Sequence, residues 1–316
     1  MSELHSIVIP VFNEEAGLPH LFVRMRTVLD QMESKSQCRT EVILVNDGSK
    51  DQSAQVLNNY AETDRRFKAI HLSRNFGHQV AISAGLEWAT GATVTVMDAD
   101  LQDPPEVILS FIDKWKQGFD VVFGVREKRD GETFFKLATA KIFYRIIQNL
   151  THVDIPVDTG DFRLMDRKAV DALKKLPERN RFIRGLVSWV GFKQAGVLYH
   201  RASREHGQTH YPFKKMLKFA FDGVTSFSSV PLQLATYTGV FTSFIAFLGI
   251  VWTLYSRFVA HNTIQGWSSL MVIVLFLGGV QLLALGMIGE YLGRVCDEVR
   301  ARPLYLVSDS KGFDRK

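Results

Sequence analysis

Two long stretches without a charged side chain limit how this chain can fold. Residues 224–256 and 262–289 contain no Asp, Glu, Lys or Arg. A helix crossing the hydrocarbon core of a bilayer needs about 20 largely apolar residues, and each stretch exceeds that length. The expectation is a pair of transmembrane helices in the last third of the chain, preceded by a water-soluble domain. Basic residues orient the pair: Lys214, Lys215 and Lys218 precede the first stretch, Arg294, Arg300 and Arg302 follow the second, and Arg257 and His261 lie between. Lysine and arginine concentrate on the cytoplasmic side, so both ends are expected there and the link outside. The apolar run 7–12 is too short, and lacks the basic leader, for a secretory signal.

The formal charge of +5 comes partly from segments next to the uncharged stretches. That suits anionic lipid heads better than nucleic acid, for which the chain carries no motif. Cys38 and Cys296 fall in unrelated segments, so neither a disulfide nor zinc-site spacing is expected.

The first 125 residues alternate short apolar runs with amphipathic ones. Strands are expected at 6–11, 41–45, 68–72, 93–97 and 120–125, with helices between them from about 16, 51, 78 and 106. That order gives a mostly parallel sheet with helices on both faces. The run 93–97 is broken at once by Asp98, Asp100 and Asp103. Ligands of open α/β sheets bind beyond the carboxyl ends of the strands, so Asp98 and Asp100 would project into a crevice, near Glu14 and Asp47 from two other strand ends. Adjacent carboxylates repel, and a divalent cation relieves the repulsion. Mg²⁺ typically takes one or two carboxylates plus nucleotide phosphates. Gln102 can add an amide oxygen. An isolated Asp-x-Asp is more often a polar turn; the other strand-end residues shift the balance toward a metal-bridged diphosphate site.

The segments Ile9-Pro10-Val11-Phe12-Asn13-Glu14-Glu15, Val45-Asn46-Asp47-Gly48-Ser49 and Met97-Asp98-Ala99-Asp100-Leu101-Gln102-Asp103 carry a resemblance. In that order and spacing the chain resembles the inverting family 2 glycosyltransferases that include dolichyl-phosphate mannose synthase. It is most similar to the bacterial polyprenyl-phosphate (undecaprenyl-phosphate) glucosyltransferase branch. The resemblance implies a glycosyltransferase A-type, Rossmann-like sheet, then interfacial helices and two transmembrane helices at a bacterial inner membrane. It divides the chain into a catalytic domain at 1–211, a juxtamembrane amphipathic helix at 212–230, a membrane hairpin at 231–293 and a cytosolic tail at 294–316. It implies Pro10, Phe12, Glu14, Val45 and Asp47 around the base, Asp98 and Ala99 near ribose and diphosphate, and Asp100 with Gln102 on Mg²⁺ or Mn²⁺. A homotetramer is also implied.

On the acceptor side the resemblance points to Arg126, after the strand 120–125, and to the basic segment with Arg201, Arg204 and His210 as holders of a lipid phosphate. Residues 133–150 and 212–222 mix aromatics with lysines, as interfacial helices do; packing on the domain core is an equal alternative for the first. Asp161 returns an acidic group toward the crevice as a candidate base or positioning group. The implied reaction moves a hexose, glucose from UDP-glucose by the closest resemblance, onto polyprenyl phosphate with inversion. A processive polysaccharide synthase is one alternative, although residues 180–184 only faintly echo its Gln-x-x-Arg-Trp acceptor motif. A non-catalytic membrane accessory retaining a sugar-nucleotide fold is the other.

Overall fold

Four apolar runs are buried on both faces, as parallel strands covered by helices must be. They form β1 (Leu4–Val11), β2 (Arg39–Asn46), β3 (Phe67–Leu72) and β4 (Thr93–Val96). The structure is a computed structural model that describes residues 3–36, 38–126, 159–179, 181–200, 230–258 and 266–313. Two compact units are formed, Met1–Met216 with Pro303–Lys316, and Leu217–Arg302.

In the first unit, α1 (Leu18–Ser36), α2 (Ser53–Thr63), α3 (His78–Trp88) and α4 (Val107–Lys116) follow successive strands. Then come β5 (Val121–Arg126), β6 (Thr159–Asp166), α5 (Arg167–Lys174), α6 (Ile183–Trp189) and β7 (Gln194–Tyr199). The sheet order is β7-β5-β6-β4-β1-β2-β3, with β8 (Val307–Lys311) on the β3 edge. Among the described strands only β6 and β8 run antiparallel to their neighbours. The mostly parallel α/β sheet is thus as expected. Phe22, Phe67, Phe111 and Phe162 are fully buried in its main core.

The strand β6 escapes a hydropathy reading because Asp161 and Arg163 interrupt it, yet both are buried, at 5% and 4% exposure. Residues 307–311, expected as part of a tail, cover the β3 edge. Leu306 O accepts from Ser73 N at 2.9 Å, and the Tyr305 hydroxyl donates to Glu87 at 2.6 Å. An edge strand otherwise exposes unpaired backbone groups.

The chain places β2 and β3 on one side of β1 and β4 on the other, so a topological switch lies between β1 and β4. The helix α3 starts from the carboxyl end of β3 and lies directly on β1. A Cβ at Gly85 would stand 2.2 Å from Val8 Cγ1, so only glycine admits this approach.

In the second unit the described parts of the two uncharged stretches lie largely in α7 (Val230–Phe258) and α8 (Trp267–Val299), which pack against each other. Among the described residues Phe276–Val299 is long and apolar enough to cross a membrane, by length and composition; Ala235–Gly249 is a shorter apolar stretch. The expectation of two spanning helices is therefore met by that measure for one. Phe244, Phe247, Trp252, Phe276 and Leu282 are exposed along these helices. The expected interfacial helices at 133–150 and 212–222 lie outside the described residues.

One core histidine makes this fold sensitive to acid. His5 on β1 is 2% exposed, with Nδ1 hydrogen-bonded to the Thr93 hydroxyl and its ring edge-on to Trp115. Burial, assisted by the charge of Lys116, lowers its pKa to about 4. Unfolded, it protonates near its ordinary value of about 6.5. Its contribution is therefore complete above that value and is lost as the pH falls from there toward 4, by about 2 kcal/mol at pH 5. The thermal unfolding midpoint of the detergent-solubilised protein should fall between about pH 7.5 and 5. His5→Gln should flatten that fall.

Candidate active site at the carboxyl rim of the sheet

The three sequence motifs meet because β1, β2 and β4 are parallel neighbours with their carboxyl ends on one rim. Residues 12–15 and 47–53 are stitched together there. Asn13 N donates to Ser49 Oγ at 3.0 Å, Glu14 N to Ser53 Oγ at 3.0 Å, and Gln52 N to Glu15 Oε2 at 2.8 Å. Phe12 is 43% exposed at this rim.

Asp47 is buried, and its two carboxylate oxygens accept from Phe76 N at 2.7 Å and Gly77 N at 2.9 Å. It thereby fixes the loop that launches α3. Burial raises its pKa despite those hydrogen bonds. Pro10 is buried, and Ala99 belongs to the main core. Val45 is fully buried as well, against α3 at Gly85.

Past the end of β4, Asp98 is partly exposed, but its Oδ1 is buried with no hydrogen-bond donor; the nearest cation is His78 Nε2 at 3.5 Å. Burial raises its pKa to about 6; His78 opposes the rise, and Asp161, Asp100 and Asp103 add to it. Asp100 Oδ1 accepts from Gln102 N at 3.1 Å, folding the turn that carries both expected metal ligands.

Asp161 lies on β6, two residues before Arg163, which pairs with Val96 of β4, so it stands opposite the carboxyl end of β4. Its carboxylate receives Arg184 Nε at 2.8 Å, Gln79 Nε2 at 3.1 Å and His78 Nε2 at 3.2 Å. Burial alone would raise its pKa, but Arg184 and His78 hold it well below the carboxylate range. Burial works against protonating His78, but Asp161 and Asp98 outweigh it and raise its pKa. The result is an ionised carboxylate wrapped by donors, which accepts a further proton poorly.

His78, Gln79 and Arg184 were not among the expected site residues. The strand-end rule that selected Asp47 and Asp98 also reaches His78 and Gln79, just beyond β3. Arg184 had no such signal, since its partner lies 23 residues away and is met only through folding. Arg126 stands at the end of β5, with Nε 3.5 Å from the Tyr199 hydroxyl. Arg201, Arg204 and His210 lie outside the described residues.

Residues 6–174 match the family described as Glycosyl transferase family 2, and residues 230–295 match the GtrB C-terminal hairpin. The chain belongs to glycosyl transferase family 2. It is 53% identical to the uncharacterized glycosyltransferase YkcC of Bacillus subtilis over 99% of this chain and 95% of that protein. It is 41% identical to the SfII prophage-derived bactoprenol glucosyl transferase of Shigella flexneri, over 96% of this chain and 97% of that one. Among solved structures, it is similar to glucosyl-3-phosphoglycerate synthase from Mycobacterium tuberculosis in complex with Mn²⁺, UDP-glucose and phosphoglyceric acid. That likeness has 14% identity, a TM-score of 0.47, and covers 69% of this chain and 76% of that one.

Breaking the Asp161 cluster should be costly. Arg184→Met leaves a buried carboxylate short of its main counter-charge and should lower unfolding stability by about 3 kcal/mol. Adding Asp161→Asn should recover part of the loss, because the amide needs no counter-ion. Denaturant unfolding of the three proteins checks both expectations.

Proposed function

We propose that this chain transfers glucose from UDP-glucose, with inversion, to the phosphate of a membrane polyprenol. The observation that carries the reading is the 41% identity to a bactoprenol glucosyl transferase over 305 residues. It is supported by carboxylates gathered at a topological switch point, where open α/β sheets bind ligands. In this reading Phe12 offers an exposed ring to the base, while Glu14 and Asp47 supply acceptors for uracil N–H or ribose hydroxyls. Pro10, Val45 and Ala99 shape the backbone beneath.

A divalent cation fits the rim by two criteria. The donors of Asp98, Asp100 and Gln102 are hard oxygens, and a buried oxygen of Asp98 has no hydrogen-bond donor. Among the described residues no three His, Cys, Asp or Glu side chains gather to hold a metal, so Asp100 and Gln102 would share it with the donor phosphates. Bound there, Mg²⁺ or Mn²⁺ would supply charge compensation for the departing diphosphate.

A phosphate monoester has a second pKa of about 6 and is mostly dianionic at neutral pH, so the acceptor oxygen needs little help from a base. Asp161, held ionised among its donors, positions His78 and Arg184 rather than taking a proton. Arg126, with Arg201, Arg204 and His210, would align the acceptor phosphate for attack on the face opposite the diphosphate. Extracting a polyprenol tail costs about 0.8 kcal/mol per CH₂ moved into water, so the enzyme must work at the bilayer. The α7–α8 hairpin would hold it there as two spans, with the catalytic unit and both ends in the cytoplasm.

The test offers the membrane-embedded protein polyprenyl phosphate with labelled UDP-glucose, UDP-galactose or GDP-mannose, followed by lipid extraction. Label should enter lipid from UDP-glucose, disappear in chelator and return with Mg²⁺ or Mn²⁺. Asp100→Ala should lower kcat by at least about a hundredfold. Label in a long water-soluble polymer, or tight UDP-glucose binding with no labelled lipid, would overturn the reading.

A further inference from the structure

A chain of contacts joins the metal-loop side of the rim to the arginine expected on the acceptor side, and it runs through one phenol. Arg126 and Tyr199 are register partners on the parallel strands β5 and β7. The Tyr199 ring is buried, edge-on to Phe162, and occupies space that a side chain at 124 would fill: a Cβ on Gly124 would stand 2.6 Å from Tyr199 Cε1. Its hydroxyl donates to Asp103 Oδ1. A phenol has one proton to give, so toward Arg126 it acts as acceptor, receiving Nε–H at 3.5 Å.

The other end of the guanidinium is seated with equal economy. A Cβ at Gly160 would stand 2.7 Å from Arg126 Nη2, so the arginine lies where residue 160 has no side chain. Gly160 is itself held, its carbonyl accepting from buried Arg163 Nη2 at 2.9 Å. At the far end of the chain, the turn from Asp98 to Asp103 contains Leu101 at φ 57, a left-handed conformation that side chains with a Cβ seldom adopt. Asp103 anchors that turn to Tyr199.

We infer that Tyr199 is a positioning residue, resting on the reaction proposed above: it sets the guanidinium of Arg126 relative to the loop carrying Asp100 and Gln102. With Nε directed to the phenol, the two Nη nitrogens form the fork presented to an anion. Two phosphates could meet that fork, the acceptor monoester and the donor diphosphate. The inference assigns it to the acceptor, and kinetics with each substrate varied separates the two.

The experiment uses the full-length protein in detergent, with labelled UDP-glucose, a short-chain polyprenyl phosphate, and the variants Tyr199→Phe, Gly160→Ala, Arg126→Ala and Tyr199→Phe/Arg126→Ala. Tyr199→Phe and Gly160→Ala should each raise KM for polyprenyl phosphate about five- to tenfold, the change that losing one ordinary net hydrogen bond produces. KM for UDP-glucose, and UDP affinity by calorimetry, should stay within about twofold. In the Arg126→Ala background Tyr199→Phe should add nothing, because its effect passes through the arginine. A purely structural tyrosine would instead give the same penalty with and without Arg126. Gly160→Ala reaches the arginine without touching the phenol–carboxylate bond, so it shows separately whether the seat of Arg126 sets acceptor KM. Wild-type acceptor KM in both single variants, a change in donor KM instead, or equal penalties in the two backgrounds would overturn it while leaving the reaction intact. Absence of glycolipid from the wild-type protein would overturn the reaction, and this inference with it.

Discussion

A carboxylate buried inside a sheet must be met by counter-charge or give up its own. Asp161 meets the condition with Arg184, His78 and Gln79, drawn from α6 and the first turn of α3. Much of the rim geometry follows from that requirement. The cluster brings the start of α3 to β6, and β6 is the antiparallel strand that lies between β4 and β5. Gln79 also accepts Ile183 N at 3.0 Å, so the same side chain that feeds Asp161 holds the start of α6. One buried negative charge thus fastens three elements around the end of β4.

The same electrostatics separates the acidic groups by task. Asp161 is saturated with donors and stays ionised, whereas Asp98 has a buried oxygen with no donor and a pKa pushed upward by burial and its acidic neighbours. A saturated carboxylate organises; an undersupplied one attracts a cation or a hydroxyl. Asp47 is different again, since its oxygens are occupied by backbone N–H groups that shape the entry to α3. Three aspartates near one rim therefore carry three distinct environments, although their sequence contexts look alike.

Much of this was legible before folding. The strand runs, the helices between them and the carboxylates at the ends of β2 and β4 follow from periodicity and from the rule that such sheets bind ligands at one rim. What escaped has specific causes. The strand β6 contains Asp161 and Arg163, which break the apolar pattern because their burial is compensated by partners distant in sequence. The strand β8 lies after the last apolar helix, where composition suggests a tail; its pairing partner, β3, lies more than 230 residues away.

The sequence by itself determined the alternation that makes a mostly parallel sheet, the two uncharged helical stretches and the acidic residues at strand ends, because each depends on near neighbours and on hydropathy. Only the tertiary structure decided that Arg184 and His78 meet Asp161, and that Tyr199 joins Asp103 to Arg126. Those pairings come from strand order and from the direction of β6, which bring together groups 23 to 96 residues apart. Local propensity carries no information about such distances, whereas the cost of an uncompensated buried charge does act across them.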